Sequence, residues 1–390
     1  MPNPSFRSFV GVAKDTTNTT LSASVIATAT TVPVVGTGIP ASSTITIIDG
    51  PLTEQRAVTA GGGTSSLTVA ALTNAHSANA YVTSQLTASL GPADYIPVTS
   101  IEPEPQIVQL KDRGMRGSAV EVYGNQQGTR ISAFSIGGDV FPDTFPYWVG
   151  GVTGASDFSA GTPNTHAFSV KNTSDTQPTP FALWLFNSID TRIYAGTKVD
   201  QLDVNFDPAG LLTYSAKVWS WMDGPVPAVT SSFSTVVPAP AWGCQATIGG
   251  TNVLYVEQAA LSIKRPAFPI YTMQNLQDPY KVWTKPITVD GSMTCVFEDN
   301  TQLNNFLQNS QPTFTLLFTP TGANPNTIQF TMTKCNYETS KPKITGGNGF
   351  VELTINFVGL GNTTDATTAG TGSSPIKVTC KSTKATGTYQ

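Results

Sequence analysis

The side chains that most often carry catalysis are scarce in this sequence. It has only two histidines, His76 in NAHSANAYV and His166 in NTHAFSV. Either imidazole has the chemistry of a general base, but no nucleophile motif accompanies it. The sequence lacks G-x-S-x-G, a P-loop, H-E-x-x-H and a complete G-x-G-x-x-G. We therefore interpret both histidines as structural and expect no enzyme activity and no cofactor.

Carboxylates and thiols give no better catalytic or metal site. Glu102 and Glu104 lie in IEPEP, where the prolines favour an extended segment with both side chains on one face. A pair for glycoside hydrolysis must be fixed deep in a cleft, so we interpret this stretch as a solvated loop. The cysteines are Cys244, Cys295, Cys335 and Cys380. They are far apart and lack a CxxC pair, so the sequence predicts no zinc site.

The redox state of these thiols follows from their positions. Cys295 and Cys335 lie inside strand-like patterns and are expected to be buried as small apolar residues. We favour four free thiols, as in a reducing compartment, over a disulfide.

Two tryptophans allow either a binding or a structural interpretation. KVWSWM places Trp219 and Trp221 on one face of a strand. Exposed together, they are suited to stack on sugar rings, as in a carbohydrate-binding module. Buried, they belong to the core or to a subunit interface. We favour the buried interpretation, because paired tryptophans on a monomer surface are costly.

Composition indicates a mainly β protein that assembles. Of 390 residues only 12% are charged, whereas Gly and Pro are frequent. The net charge of −4 argues against binding nucleic acid through a broad basic face. A surface with few charges favours coverage by other subunits. No apolar run has the length of a signal peptide or a membrane span, so we expect no membrane insertion.

Periodicity predicts many short strands and two helices. The clearest strand is the alternation from Val351 to Val358, and a polar tail follows it. The better helix lies between Phe297 and Phe314, with Asp299 as its cap. Its apolar stripe consists of Leu303, Phe306 and Leu307. A shorter helix is predicted over Asp143 to Val149. The other predicted strands are Ser24–Ile26, Thr31–Val35, Thr44–Ile48, Arg56–Thr59, Ser66–Val69, Ala80–Thr83, Tyr95–Ile101, Ser118–Tyr123, Thr129–Ile136, Thr165–Val170, Phe181–Phe186, Val199–Phe206, Leu211–Trp221, Tyr255–Lys264, Pro286–Phe297, Thr313–Phe318 and Thr327–Lys334.

Several stretches, in their order, resemble the major tail tube protein of long-tailed (siphovirus-type) bacteriophages. They are FVGVAKDTT, YIPVTSIEPE, LKDRGMRGSAVEVYGNQQGTR, SIGGDVFPDTFPYWVGGVTG, VDQLDVNFDPAGLLTYSAKVW and GFVELTINFVGLGNTTD. The resemblance implies a β-sandwich or barrel with a flanking α-helix. It also implies rings, usually six-fold, that stack into a hollow tube, with long loops and terminal arms contacting the next ring.

The resemblance also organises the chain. Residues 1–18 are the N-terminal segment of a tube domain, and 19–90 are an inserted all-β module that decorates it. Residues 91–225 and 226–365 are the first and second halves of the tube domain. Gly196–Phe206 weakly resembles Val256–Ile263, so a duplication is possible, and three chains would then replace six in a ring. Residues 366–390 are predicted to be an arm that orders on assembly.

The partners implied are further copies of the chain, the tape measure protein, and viral double-stranded DNA passing non-specifically through the lumen. The protein is expected in the virion tail after assembly in the host cytoplasm. A lumen that transmits DNA should avoid clustered Lys and Arg. Our acidic candidates for its wall or rim are Asp200, Asp203, Asp207 and Glu257. The alternatives are a carbohydrate-binding or adhesive β-protein, a distal tail or baseplate component, and a hydrolase with an unrecognised site.

Overall fold

The computed structural model describes residues 8–85, 91–273, 276–319, 326–344 and 350–389. Its described part is mainly β, as predicted, with the short helices α1 (Pro146–Thr153) and α2 (Thr301–Leu307). The strands are, in chain order, β1 (Phe9–Thr20), β2 (Thr31–Pro33), β3 (Thr44–Ile48), β4 (Glu54–Ala60), β5 (Ser66–Val69), β6 (Tyr81–Gln85), β7 (Asp94–Ile96), β8 (Ser100–Asp112), β9 (Gly124–Asp139), β10 (Gly154–Ser159), β11 (Asn164–Val170), β12 (Phe181–Phe186), β13 (Thr191–Phe206), β14 (Thr213–Ser220), β15 (Gly224–Val226), β16 (Cys244–Ile248), β17 (Thr251–Val253), β18 (Val256–Lys264), β19 (Ala267–Ile270), β20 (Lys281–Thr284), β21 (Thr288–Val296), β22 (Phe314–Phe318), β23 (Ile328–Met332), β24 (Cys335–Ile344), β25 (Val351–Gly359) and β26 (Lys377–Ser382).

The main sheet contains eight antiparallel strands in the order β8-β9-β14-β13-β18-β21-β25-β24. Alternating side chains explain why these segments are strands. In β25, Leu353, Ile355 and Phe357 are buried, whereas the residues between them point to the other side. The main sheet thus has one face in the core and one polar face, which we call the open face.

A second sheet covers the buried face of the main sheet. It has seven strands, ordered β10-β11-β26-β23-β22-β16-β17, and the ring of Phe206 stacks on Phe318 between the two sheets. Strand β26 lies in its middle, between β11 and β23, with Val378 fully buried. The prediction that residues 366–390 form an arm ordering on assembly is therefore wrong, because this polar tail contains an alternating strand that completes a sheet within the chain.

Both predicted helices are present, and α2 lies between Phe297 and Phe314 as predicted, but α1 has other bounds and α2 buries other side chains. Helix α1 begins at Pro146 rather than Asp143, and all its residues are buried. In α2, Gln302 is the buried residue, Phe306 packs partly against the core, and Leu307 is 68% exposed. The predicted stripe therefore does not lie on the core as a unit, since the short helix turns Gln302 inward instead.

Strand β1 connects the larger part of the chain, which contains β7 and β12, to a small separate β structure. Its first residues pair with β12 on one side and β7 on the other, and from Asp15 onward it pairs with β6. Strands β2 to β6 surround their own apolar cluster, which includes Val32, Ile45 and Leu67. We call residues 19–85 the module. The hairpin β19–β20 lies beside its base.

The main sheet repeats one pattern in its two halves. The order β8-β9-β14-β13 is followed by β18-β21-β25-β24, each time with the third strand in sequence at the edge of its half. A bulge interrupts β13 at Asp200 and β24 at Glu338. The similarity noted between Gly196–Phe206 and Val256–Ile263 has another origin, because these segments belong to adjacent antiparallel strands that bury the same face.

Candidate assembly surfaces

Both edge strands of the main sheet are free on one side. Within the described part of the chain, β8 pairs only with β9, and β24 pairs only with β25. Glu102 and Glu104 therefore lie on an exposed edge strand, not in the loop that we predicted. Pro103 and Pro105 on β8, like Pro342 on β24, are tolerated because a proline nitrogen at an edge faces away from the paired strand.

The open face is polar and more acidic than basic. Across it, Asp203 accepts hydrogen bonds from Gln201 and Ser262, and Lys264 pairs with Asp290 at 2.7 Å. Side chains of alternate residues place further charges here. The carboxylates of this face are Glu102, Glu104, Asp139, Asp200, Asp203, Asp290, Glu338 and Glu352, and the ammonium groups are Lys217, Lys264, Lys341 and Lys343.

The four acidic candidates from the sequence do not form one cluster. Asp203 lies on the open face. Asp200 lines a depression on that face, and its Oδ1 accepts a hydrogen bond from the N–H of Ala267 at 2.7 Å. Asp207 is in the exposed β13–β14 turn, and Glu257 is at the start of β18. The last two therefore lie at one end of the sheet.

A long hairpin extends from the other end of the sheet. Strands β8 and β9 continue past Ile107 and Arg130, after β14 has ended at Ser220 opposite Ser132. We call residues 107–130 the arm. It exposes apolar side chains that a monomer would bury: Val108, Leu110, Met115, Val120 and Val122. An apolar projection of this kind indicates a contact surface.

An apolar groove lies at the end of the sheet opposite the arm. Its volume is about 360 Å³, and it is lined by the end of β13, the start of β18 and the β16–β17 hairpin. Trp242 and Leu254 border it and are 63% and 94% exposed. Large apolar side chains at a concave surface suit a protein partner.

Trp221 fills the junction between the module and the main sheet. It is buried, its Nε1 donates a hydrogen bond to the carbonyl of Pro279, and Tyr81 of the module stacks on its ring with centroids 4.2 Å apart. Trp219 is half-buried beside the same cluster. The two tryptophans therefore do not present a paired platform for a sugar.

The junction also contains buried ionisable groups. Burial raises the pKa of Asp15 to about 6, although Gln85 and the backbone of Gly196 donate hydrogen bonds to its carboxylate. Burial lowers the pKa of Lys198 to about 7, and its ammonium donates to the carbonyl of Pro178. The hydrogen bond from Gln85 connects Asp15 to β6 of the module, whereas Lys198 bonds to the segment that precedes β12.

The two histidines lie in different structural settings. His76 is buried in the module with Nε2 2.7 Å from Glu54, and His166 Nε2 is 3.1 Å from the carbonyl of Lys384. In the described residues no group of three or more acidic, His or Cys side chains is placed to hold a metal ion.

All four cysteines are free thiols in this structure, as we favoured from the sequence. Cys295 and Cys335 are buried in strands. Burial raises the pKa of Cys244, Cys295 and Cys335 to about 12, which keeps these thiols protonated and unreactive at neutral pH. None of the helices in the described ranges has the length and apolar character to cross a bilayer.

A family model for the phage tail tube protein matches residues 104–359. The chain belongs to the phage tail tube protein family. The matched region runs from within β8 to the end of β25, and so contains nearly the whole main sheet and both its edges. The module lies outside it. No curated protein matches the chain.

Family membership is consistent with the exposed surfaces described above. A tail tube protein is a structural subunit of the virion tail that assembles with copies of itself. Unpaired strand edges and exposed apolar surfaces are the kinds of surface that subunit contacts cover in general. From the sequence we missed the arm, the groove and the lysines of β24; the alternating charges of Lys341 and Lys343 were the available signal for that edge.

Proposed function

We propose that this tail tube subunit contains two tube folds and closes a ring with three copies. The observation that carries the proposal is the repeated strand order, with Asp200 and Glu338 bulged at the same place in each half. In the middle of the chain, the edge of the first half pairs with the edge of the second through β13 and β18. In a ring, we expect the same kind of pairing between neighbouring chains. Strand β24, which is equivalent to β13, then pairs with β8 of the next copy, which is equivalent to β18.

The open face then lines the lumen of a closed barrel. Eight strands from each of three copies would surround a channel with more carboxylates than ammonium groups. Such a wall repels phosphates, and the few lysines partly neutralise neighbouring acids, as Lys264 does with Asp290. We propose that viral double-stranded DNA passes this wall without specific binding and that the tape measure protein occupies the lumen before it.

Asp200 and Asp203 belong to this wall, and Asp207 and Glu257 belong to its rim. Replacing Ser215, Ser292 and Thr354 of the open face with lysine should hold DNA in the tube and reduce genome ejection from virions. Unchanged ejection from virions with normal tails would contradict a lumen at the open face.

Stacking of rings places the arm of one ring against the groove of the next. The arm and groove lie at opposite ends of the main sheet, so a head-to-tail stack brings them to the same interface. The exposed Met115 and Leu110 of the arm match Trp242 and Leu254 in apolar character. The module is an insertion that decorates the tube fold without belonging to its sheet. Assembly takes place in the host cytoplasm, for a siphovirus-type tail.

Electron microscopy of the purified protein tests the ring directly. We expect stacked rings in which each ring contains three chains and six similar tube folds. Six chains in a ring would overturn the proposal that each chain contains two tube folds. A single ring that never stacks would favour a distal tail or baseplate component instead.

A further inference from the structure

The pairing of β13 with β18 inside the chain provides a register for the proposed pairing of β24 with β8 between chains. At β13–β18, Asp203 lies opposite Ser262 and Asn205 lies opposite Ala260, all on the open face. These pairs have neutral side chains on β18, and Ser262 donates a hydrogen bond to Asp203. Any repeat of this junction by two copies must use the equivalent residues of β24 and β8.

The equivalent residues can be read across the sheet. One row of facing residues in the first half is Gln201, Lys217, Ser135 and Glu102. The matching row in the second half is Thr339, Asn356, Ser292 and Ala260. Both rows start directly after the bulge. Along the strands, Lys341 and Lys343 of β24 therefore occupy the positions equivalent to Asp203 and Asn205 of β13. On the other edge, Glu104 and Glu102 of β8 occupy the positions equivalent to Ser262 and Ala260 of β18.

We propose that Lys341 and Lys343 of one copy form ion pairs with Glu104 and Glu102 of the next. This inference rests on the proposed ring and adds to it the residues that select the partner edge. The register of the internal junction places Lys341 directly opposite Glu104 and Lys343 directly opposite Glu102. Opposite charges that face each other across antiparallel strands are stabilising, and like charges there are destabilising.

Both edges carry these charges where they are accessible. Glu102, Glu104, Lys341 and Lys343 are all exposed. Within the described residues, neither glutamate has an ion-pair partner within 4 Å. Lys343 contacts Glu352 at 2.9 Å across its own hairpin, so it would lie between two carboxylates in the ring.

The prolines of the two edges make side-chain charges more important for recognition. In the same register Pro342 faces Pro103, and Pro105 faces Ser340. Prolines at these outward positions remove backbone donors that the internal junction can use. Fewer backbone hydrogen bonds limit indiscriminate strand addition to either edge. The charges also disfavour the wrong pairings, since two β8 edges would oppose glutamates and two β24 edges would oppose lysines.

Charge reversal at one edge, and then at both, tests the proposal. We compare the full-length protein with E102K/E104K, with K341E/K343E and with the four-fold variant that combines them. The combined variant has the net charge of the natural protein and is the matched control. The concentration at which rings form is measured by sedimentation, ring structure by electron microscopy, and folding by circular dichroism.

We expect each double variant to need at least about tenfold more protein to form rings, because two attractions become two repulsions in every junction. The combined variant should form rings at nearly the concentration of the natural protein. For a double variant that does not fold, E102Q/E104Q or K341Q/K343Q replaces it, with a smaller shift expected.

Normal ring formation by both double variants would overturn the ion pairs and leave the ring itself intact. Loss of ring formation that the combined variant does not restore would also overturn them. Failure of the natural protein to form rings would instead count against the proposed function.

Discussion

The carboxylate of Asp15 accepts a hydrogen bond from the backbone N–H of Gly196 at 2.8 Å. The two residues mark the places where β1 leaves the tube fold for the module and where β13 bends toward the main sheet. Gly196 has a φ of 65°, and the ring of Trp221 lies where a Cβ would be, so only glycine fits here. A buried hydrogen bond from Gly196 to the Asp15 side chain thus connects these two parts of the chain.

Asp15 should make stability fall as the pH rises. Burial raises its pKa from 3.8 to about 6, so the folded state favours the protonated carboxyl. The resulting penalty is absent below the unfolded-state pKa near 4 and complete above about 6. Between these limits, Asp15→Asn should gain roughly 3 kcal/mol of stability relative to the natural protein. Urea unfolding at several pH values measures this difference; a constant difference from pH 4 to pH 7 would contradict the assignment.

The module should be removable without loss of ring formation. Deleting residues 18–91, which include the module, and so joining Thr17 to Pro92 leaves the main sheet, its core and both edges in place. The points of exit and return are adjacent, since Val12 pairs with Asp94. Negative-stain images of the deletion variant should still show tubes. A folded variant that forms neither rings nor tubes would show that the module takes part in assembly.

The contact between Tyr81 and Trp221 should stabilise the docking of the module. Tyr81→Ala removes a stacked ring pair and should cost about 1–3 kcal/mol, from lost apolar contact and ring stacking. Faster proteolysis within residues 19–85, with tubes still present, is the expected result. Val35→Ala, at an exposed module position, is the control and should change little. Equal proteolysis in all three proteins would contradict a role for the stack.

Helix α2 should depend on Gln302 and Phe306 but not on Leu307. Gln302 accepts a hydrogen bond from the Tyr337 hydroxyl at 2.8 Å inside the protein. Gln302→Ala should cost about 1–3 kcal/mol by leaving that hydroxyl unpaired, and half-buried Phe306→Ala should cost a similar amount. Leu307→Ala is the control, with a change under about 0.5 kcal/mol. Thermal unfolding distinguishes these variants; a large effect at Leu307 would reveal an unrecognised contact.

The arm and the groove should control stacking separately from ring closure. Met115→Asp and Trp242→Ala should each produce rings that stack poorly, because an apolar contact between rings is lost. Tube length in electron micrographs measures the effect. Ile26→Asp, at an exposed apolar position on the module, is the control and should give tubes of normal length. Long tubes from Met115→Asp would contradict the arm as a stacking element.

Strands with clear alternation were predictable from the sequence, and several others were not. Thr44–Ile48, Ser66–Val69 and Phe181–Phe186 have the predicted bounds. By contrast, β24 was missed because its edge position leaves Lys341 and Lys343 where a buried strand would carry apolar residues. Ser118–Tyr123 is not a strand, because its alternating valines lie in the connection of the arm.

Assembly surfaces were harder to predict, because they depend on which strands become neighbours. Glu102 and Lys343 are far apart in sequence, and no local pattern relates one to the other. Their relationship follows only from the order of strands in the main sheet and from the matching bulges. The family resemblance was enough to predict a tube subunit. The register between its edge strands could be derived only from the three-dimensional fold.

The central position of β26 has a consequence for the timing of biosynthesis. Its neighbour β11 is made some two hundred residues earlier, and Phe168 of β11 pairs with Val378 of β26. The second sheet therefore has a missing middle strand until residues 377–382 have left the ribosome. A chain that lacks these residues cannot complete its second sheet, because β11 and β23 then have no strand between them.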